Sequence, residues 1–193
     1  KEKADEDIFC LKPRIQRDLA YALNPDAPDL THLEESAKGY SEAFRKTRGF
    51  YSGINASAGH ALLGDVSRAR KIAGEVSAIL ATSAETFDEK TYFRAATSAE
   101  CRLLEGDSVG AASLFADACA AEDVTAGKRA TSRRLLRRLA RTLDIDAAWI
   151  DRAVPQPKVL FFSGPLARKG LDEDPAPIDG MLDNLSRLLD RED

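Results

Sequence analysis

Seven basic residues, Lys128, Arg129, Arg133, Arg134, Arg137, Arg138 and Arg141, fall within 14 residues that contain no acid. On a helix, Arg133, Arg137 and Arg141 stand four apart and align, as do Arg134 and Arg138, while Leu135, Leu136, Leu139 and Leu143 take the side turned to a core. A guanidinium fork binds phosphate or carboxylate at two points, so this face suits an anionic nucleotide, a phosphorylated peptide or an acidic partner. The alternative is a solvated helix face that balances acidic neighbours. Tyr51 and Asn55, one helical turn apart, form a second candidate pair. Asn55 can donate to and accept from a peptide backbone, with Tyr51 packing on the same ligand, or it can satisfy a neighbouring helix end.

Catalytic chemistry has no comparable signature. His32 and His60 are the only histidines, and neither has Cys, Asp or Glu at metal-ligand spacing. Phosphate loops of the GxGxxG or GxxxxGK type do not occur. Ser163-Gly164-Pro165, after an apolar run, is a weak phosphate-turn signal. Acid pairs such as Glu34-Glu35 and Asp172 with Asp174 read as solvated surface. No catalytic residue, metal or cofactor is therefore expected. The three cysteines, Cys10, Cys101 and Cys119, are odd in number and lack metal spacing, which predicts reduced thiols in a cytoplasmic protein.

The elements that must position these residues read as helices. In residues 51–76, two helices fold back on each other through Gly64-Asp65, and the landmarks return in 91–119 around Gly106-Asp107. Each Gly supplies a left-handed helix end and each Asp can cap the next helix. Small residues (Ser57, Ala69, Ala99, Ala111) allow close approach, and Leu62, Leu63, Ile72, Val76, Leu103, Leu104, Leu114 and Phe115 recur at helical steps to fill the seam. Such a recurrence predicts stacked helical hairpins. Ser36, Tyr40 and Ala43 repeat the spacing of Ala69, Ala73 and Val76 one unit earlier. Gly59, inside a helix, marks close helix packing.

Along the chain, Ile8, Phe9, Leu11, Ile15, Leu19, Tyr21 and Leu23 give an apolar stripe on a first helix, with Pro13 as its start or a kink. Pro25 and Pro28 make 24–29 a loop. Thr31 and Glu34 form a capping box ahead of a helix to about Thr47, and Thr86 and Glu89 a second one. A polar break spans Glu122 to Gly127, followed by helices from about Thr131 to Leu143 and near Asp146 to Ala153. Val154-Pro-Gln-Pro157 then ends the helical part. Lys158–Phe162 predicts a short strand and Ile178–Leu189 a last amphipathic helix. That appendage is either an extended arm or, as we favour, the opening of an α/β domain.

With 193 residues, the chain is most simply one domain, and its net charge of −4 argues against wholesale nucleic-acid binding. No apolar run approaches a membrane span, and no signal peptide is evident. The sole methionine is Met181 and the first residue is Lys1, which predicts a fragment or a processed form.

Tyr51, Gly53, Ile54 and Asn55, followed by Leu62-Leu63-Gly64-Asp65, resemble a tetratricopeptide-like family of bacterial signalling proteins. The central TRAFs-binding region of the apoptosis signal-regulating kinases is of the same type. The resemblance covers roughly 30–145 and includes Ala130-Thr-Ser-Arg-Arg134. It implies a regulatory or sensor module in a multidomain signalling or defence protein, with Asn55 on the concave groove. The segment KVLFFSG resembles the strand that opens a nucleotide-processing domain in several bacterial members.

The expected fold is all-α, an α-solenoid of tetratricopeptide-like hairpins over 1–153 with a strand–loop–helix appendage over 154–193. The expected function is a non-enzymatic binding and regulatory module of a cytoplasmic signalling protein, acting on a protein segment, an effector domain or an anionic nucleotide-like ligand. A homo-oligomer is compatible with this; a membrane or nucleic-acid partner is not expected. The alternative is the accessory part of a nucleotide-processing enzyme whose α/β domain starts near residue 158.

Overall fold

The two Gly-Asp sequences form the same turn. Gly64 and Gly106 sit at φ +86° and +100°, the left-handed region that favours glycine. In the first turn, Gly64 N–H donates to the Ala61 carbonyl at 2.9 Å and Asp65 N–H to the His60 carbonyl at 2.9 Å. In the second, Gly106 N–H reaches the Leu103 carbonyl at 3.0 Å and Asp107 N–H the Arg102 carbonyl at 2.9 Å. This paired closure satisfies the last carbonyls of a helix. Each Asp then caps the next helix, Asp65 accepting from Arg68 N–H at 3.1 Å and Asp107 from Gly110 N–H at 2.8 Å.

The computed structural model describes residues 6–82, 91–120 and 124–155. They form eight α-helices and no strand: α1 (Glu6–Ala20), α2 (Leu30–Thr47), α3 (Phe50–Leu62), α4 (Val66–Thr82), α5 (Thr91–Glu105), α6 (Ser108–Cys119), α7 (Ala126–Leu143) and α8 (Ala148–Ala153). The described part is therefore all-helical. The chain divides into two compact units, 1–158 and 159–193, and every described residue belongs to the first. The Thr86–Glu89 capping box, the Lys158–Phe162 strand, the Ser163 turn and the Ile178–Leu189 helix lie outside the described residues.

Consecutive helices pack on each other from α1 to α6, and α3 is the hub, touching α1, α2, α4, α5 and α7. Its sequence permits this because small residues let neighbours close in. A Cβ on Gly59 would meet the Ala37 Cβ at 3.0 Å, and one on Gly53 would meet Val76 and Phe44 side chains at 2.5 and 2.8 Å. Ser57 Oγ donates to the Ala69 carbonyl at 2.6 Å within that seam. The α3 N-terminus has no side-chain cap of its own. Glu6 of α1 supplies one, its Oε1 accepting from Ser52 N–H and Ser52 Oγ, both at 2.7 Å.

Several local expectations need correction. The stripe Ile8, Phe9, Leu11, Ile15 and Leu19 faces outward, 39 to 65% exposed, while Cys10, Pro13 and Ala20 are buried. Pro13 does not start α1; it lies inside the helix, and its carbonyl accepts from Ser36 Oγ at 2.9 Å. The cap of α2 is Asp29, which bonds Thr31 and His32 N–H, so Thr31 lies inside the helix rather than capping it. α7 begins at Ala126, five residues earlier than expected, because Thr125 Oγ1 caps it by accepting from Lys128 N–H at 3.2 Å. Val154 is fully buried in the helical core. Cys10 and Cys101 are buried free thiols and Cys119 is half-buried; burial, chiefly, pushes the first two up to about 12.

Candidate functional site

Tyr51 and Asn55 lie on one face of α3, and α1 brings two arginines to them. Arg14 stacks over the Tyr51 ring, 5.6 Å from its centroid, and donates to Tyr51 OH from Nε and Nη2 at 3.2 and 2.9 Å. Arg17 Nη1 donates to Asn55 Oδ1 at 2.6 Å, and Asn55 Nδ2 donates to the Tyr51 carbonyl at 2.8 Å. Asn55 thus satisfies no neighbouring helix end. It ties its own helix to an arginine that is still a third exposed, at 34% of the side chain. Tyr40 packs edge-on against Tyr51 at 6.1 Å, and its buried hydroxyl lies beside Tyr51 and Arg14.

Five of the six arginines of α7 divide into three groups. Arg133 is an interior residue, only 7% exposed, donating to the Val154 carbonyl at 2.9 Å and paired with Asp151. The returning α8 places that carbonyl and carboxylate there, so Arg133 holds α7 to α8 instead of lying on an open face with Arg137 and Arg141. Arg137 shares Asp151 at 3.0 Å. Arg138 and Arg141 reach the loop after α1. Arg138 stacks on the Tyr21 ring at 3.4 Å and donates to the Pro25 carbonyl at 3.2 Å, and Arg141 pairs with Asp26 at 3.2 Å. Arg134 is exposed, with no ion pair or hydrogen bond among the described residues.

The two candidate groups meet through α1. Burial lowers the pKa of Arg138, and the nearby charges of Arg134 and Arg17 lower it further against the opposing influence of Tyr21 and Asp26. An anion beside Arg138 would relieve the repulsion it feels from Arg134 and Arg17. Tyr51, Asn55, Arg134 and Arg138 therefore belong to one connected region, whereas Arg133 and Arg137 serve the α7–α8 junction. Arg141 braces the loop at the region's edge.

Inspection of the sequence missed Arg14, Arg17, Tyr21 and Glu100. The spacing of Arg14 and Arg17 puts both on one face of α1, next to the longer apolar stripe. Glu100 stands in a stretch of small and apolar residues on α5, 8% exposed, with no hydrogen bond or ion pair among the described residues. Burial pushes its carboxyl up to about 7 despite the opposing Arg17 charge. Its register explains its position: the 42-residue step from Gly64 to Gly106 aligns it with buried Ala58.

Among the described residues no group of three or more His, Cys, Asp or Glu could hold a metal, and no helix is long and apolar enough to cross a membrane. His60 is buried, its Nε2 3.0 Å from Ser41 Oγ, and burial lowers its pKa. Ser41 spends its hydroxyl proton on the Ala37 carbonyl at 2.8 Å, so the pair reads as a packed structural contact. No family model, curated protein or solved structure matches this chain.

Proposed function

We propose that the chain is a non-enzymatic binding and regulatory module. In this reading it is an α-solenoid of tetratricopeptide-like hairpins that receives an anionic group on its Arg17, Arg134 and Arg138 face. The group belongs to a partner segment or a nucleotide-like ligand, and its binding biases an effector domain of a signalling protein. The observation that carries this is the crowding of those three guanidiniums beside Tyr51 and Asn55. Arg134 has no ion pair among the described residues, Arg17 only a 3.8 Å pair with Asp18, and Arg138 is held by Tyr21 and the Pro25 carbonyl. Positive charge fixed on helices in this way is a preorganised anion receptor, which keeps the ordering cost of binding low. The two matching Gly-Asp turns and the resemblance to the TRAFs-binding type support the hairpin repeat and the regulatory role. The free cysteines suit a cytoplasmic setting.

A thermal-shift screen tests it, using nucleotides that include ADP-ribose-like and cyclic species together with acidic peptides. A true ligand at about one hundred times its dissociation constant stabilises the fold by roughly 2.7 kcal/mol. Arg134→Glu should abolish that shift and leave the ligand-free melting temperature unchanged, because Arg134 is exposed and holds nothing in place. No shift with any anion, or a shift that survives Arg134→Glu, overturns the proposal.

A further inference from the structure

The left-handed helix end seen at Gly64 and Gly106 occurs a third time, at Asp144 after α7, where φ is +53°. In all three the next residue donates back five positions at 2.9 Å, Asp65 to His60, Asp107 to Arg102 and Ile145 to Ala140. These shared ends set a common register for α3, α5 and α7. Six residues before them stand Ala58, Glu100 and Arg138, and equivalent positions in a stacked array face the same surface. Asn55 lies one turn before Ala58 and Arg134 one turn before Arg138, on the same faces of their helices. Glu100 is thus the α5 position of the surface that carries Asn55, Arg134 and Arg138.

The contacts agree with that register. α5 packs on α3, and Tyr92 OH near its start donates to Ser132 Oγ of α7 at 2.9 Å. Arg17 of α1 donates to Asn55 at 2.6 Å, and its charge acts on both Glu100 and Arg138. Glu100 itself is 8% exposed and has no hydrogen bond or ion pair among the described residues. A carboxyl so deeply placed is costly unless a donor reaches it.

Given an anion receptor on this face, we propose that its ligand is a nucleotide, with the phosphate on Arg134 and Arg138 and the amino edge of the base on Glu100. The guanidiniums repel a cationic donor such as an ammonium, so the donor is neutral. A peptide N–H reaching as deep would bury its neighbouring carbonyls without partners, a cost that the edge of a base avoids. A carboxyl matches such an edge in either protonation state. Ionised, it accepts twice, as the ring N–H and amino group of guanine require. Protonated, it accepts once and donates once, as the amino group and ring nitrogen of adenine require.

The test is calorimetric titration of the full chain with GMP, AMP and ribose 5-phosphate, the last of which lacks a base. At least one nucleotide should bind about tenfold or more tightly than ribose 5-phosphate. Glu100→Leu should remove that advantage and leave the affinity for ribose 5-phosphate within about twofold, whereas Arg134→Glu should weaken all three ligands. Glu100→Gln should abolish a preference for GMP and keep one for AMP, because an amide accepts and donates but cannot accept twice. Equal binding of nucleotides and ribose 5-phosphate overturns the inference, as does a preference that survives Glu100→Leu. The anion receptor still stands in those cases if Arg134→Glu weakens binding. Binding of acidic peptides but of no nucleotide has the same meaning, and no binding of any anion overturns both readings. The comparison of the three ligands needs no variant, so it decides even where Glu100→Leu fails to fold.

Discussion

Glu100 is the residue whose chemistry is most altered by the fold. A carboxyl largely withdrawn from water, with no hydrogen bond among the described residues, stays protonated to higher pH, here to about 7 against an ordinary 4.5. The sign of its effect on stability follows. Between those two values the folded chain holds a proton that the unfolded chain releases, so stability falls as pH rises through this window. The penalty is absent below about 4.5 and complete above about 7, where its upper limit is on the order of 3 kcal/mol. Glu100→Gln keeps the shape and removes the titration. It should raise the melting temperature at pH 8, leave it nearly unchanged at pH 4.5 and flatten the profile between. Thermal unfolding across that range decides the matter, since an unaltered slope in the variant would mean that Glu100 is not the titrating group. The same residue shows a limit of legibility. Its identity stood in plain view, yet only the packing of α5 shows that its carboxyl lacks a partner among the described residues.

At the scale of elements, two glycines make opposite predictions. Gly64 sits at φ +86° with nothing within 4 Å of a would-be Cβ, so backbone strain alone penalises a substitution there. Gly64→Ala should destabilise by roughly 1–2 kcal/mol. Gly74 lies inside α4, also with open space around a Cβ, and at an ordinary helical φ. Gly74→Ala should stabilise by about 0.5–1 kcal/mol, since it only restricts the unfolded chain. Urea unfolding of the two variants beside the parent measures both signs. The turns at Gly64 and Gly106 were readable because their demand is local, one residue at positive φ and one capping carboxylate. The orientation of α1 was not readable. Its apolar stripe and its Cys10, Pro13 and Ala20 side compete as buried faces, and the outcome depends on α2 and α3, where Ser36 accommodates the Pro13 carbonyl and Ser52 takes Glu6. The interior fate of Arg133 was equally hidden, because it is set by α8, whose return places the Val154 carbonyl 21 residues away in sequence.

At the scale of the whole helical unit, contacts distant in sequence separate this fold from a purely nearest-neighbour array. In a stack whose units touch only adjacent units, the ends can open independently. Here α7 packs on α3, and its arginines reach back to the loop after α1: Arg138 to Tyr21 and Pro25, Arg141 to Asp26, across 113 to 115 residues for the hydrogen bonds. The Arg138–Tyr21 stack is the part most able to couple the two regions, because Arg138 is only half-exposed, and cation–π contacts strengthen as water is excluded. The Arg141–Asp26 pair is exposed and contributes little. Arg138→Ala should therefore lower the opening free energy of the C-terminal half of α1 by about 1 kcal/mol, raising amide exchange there roughly fivefold. α5 and α6 should exchange as before, and Arg141→Ala should have little effect anywhere. Hydrogen exchange resolved by helix reads all three regions at once. An equal rise in every helix would instead mean that Arg138 supports global stability, with α1 and α7 opening only when the whole unit does.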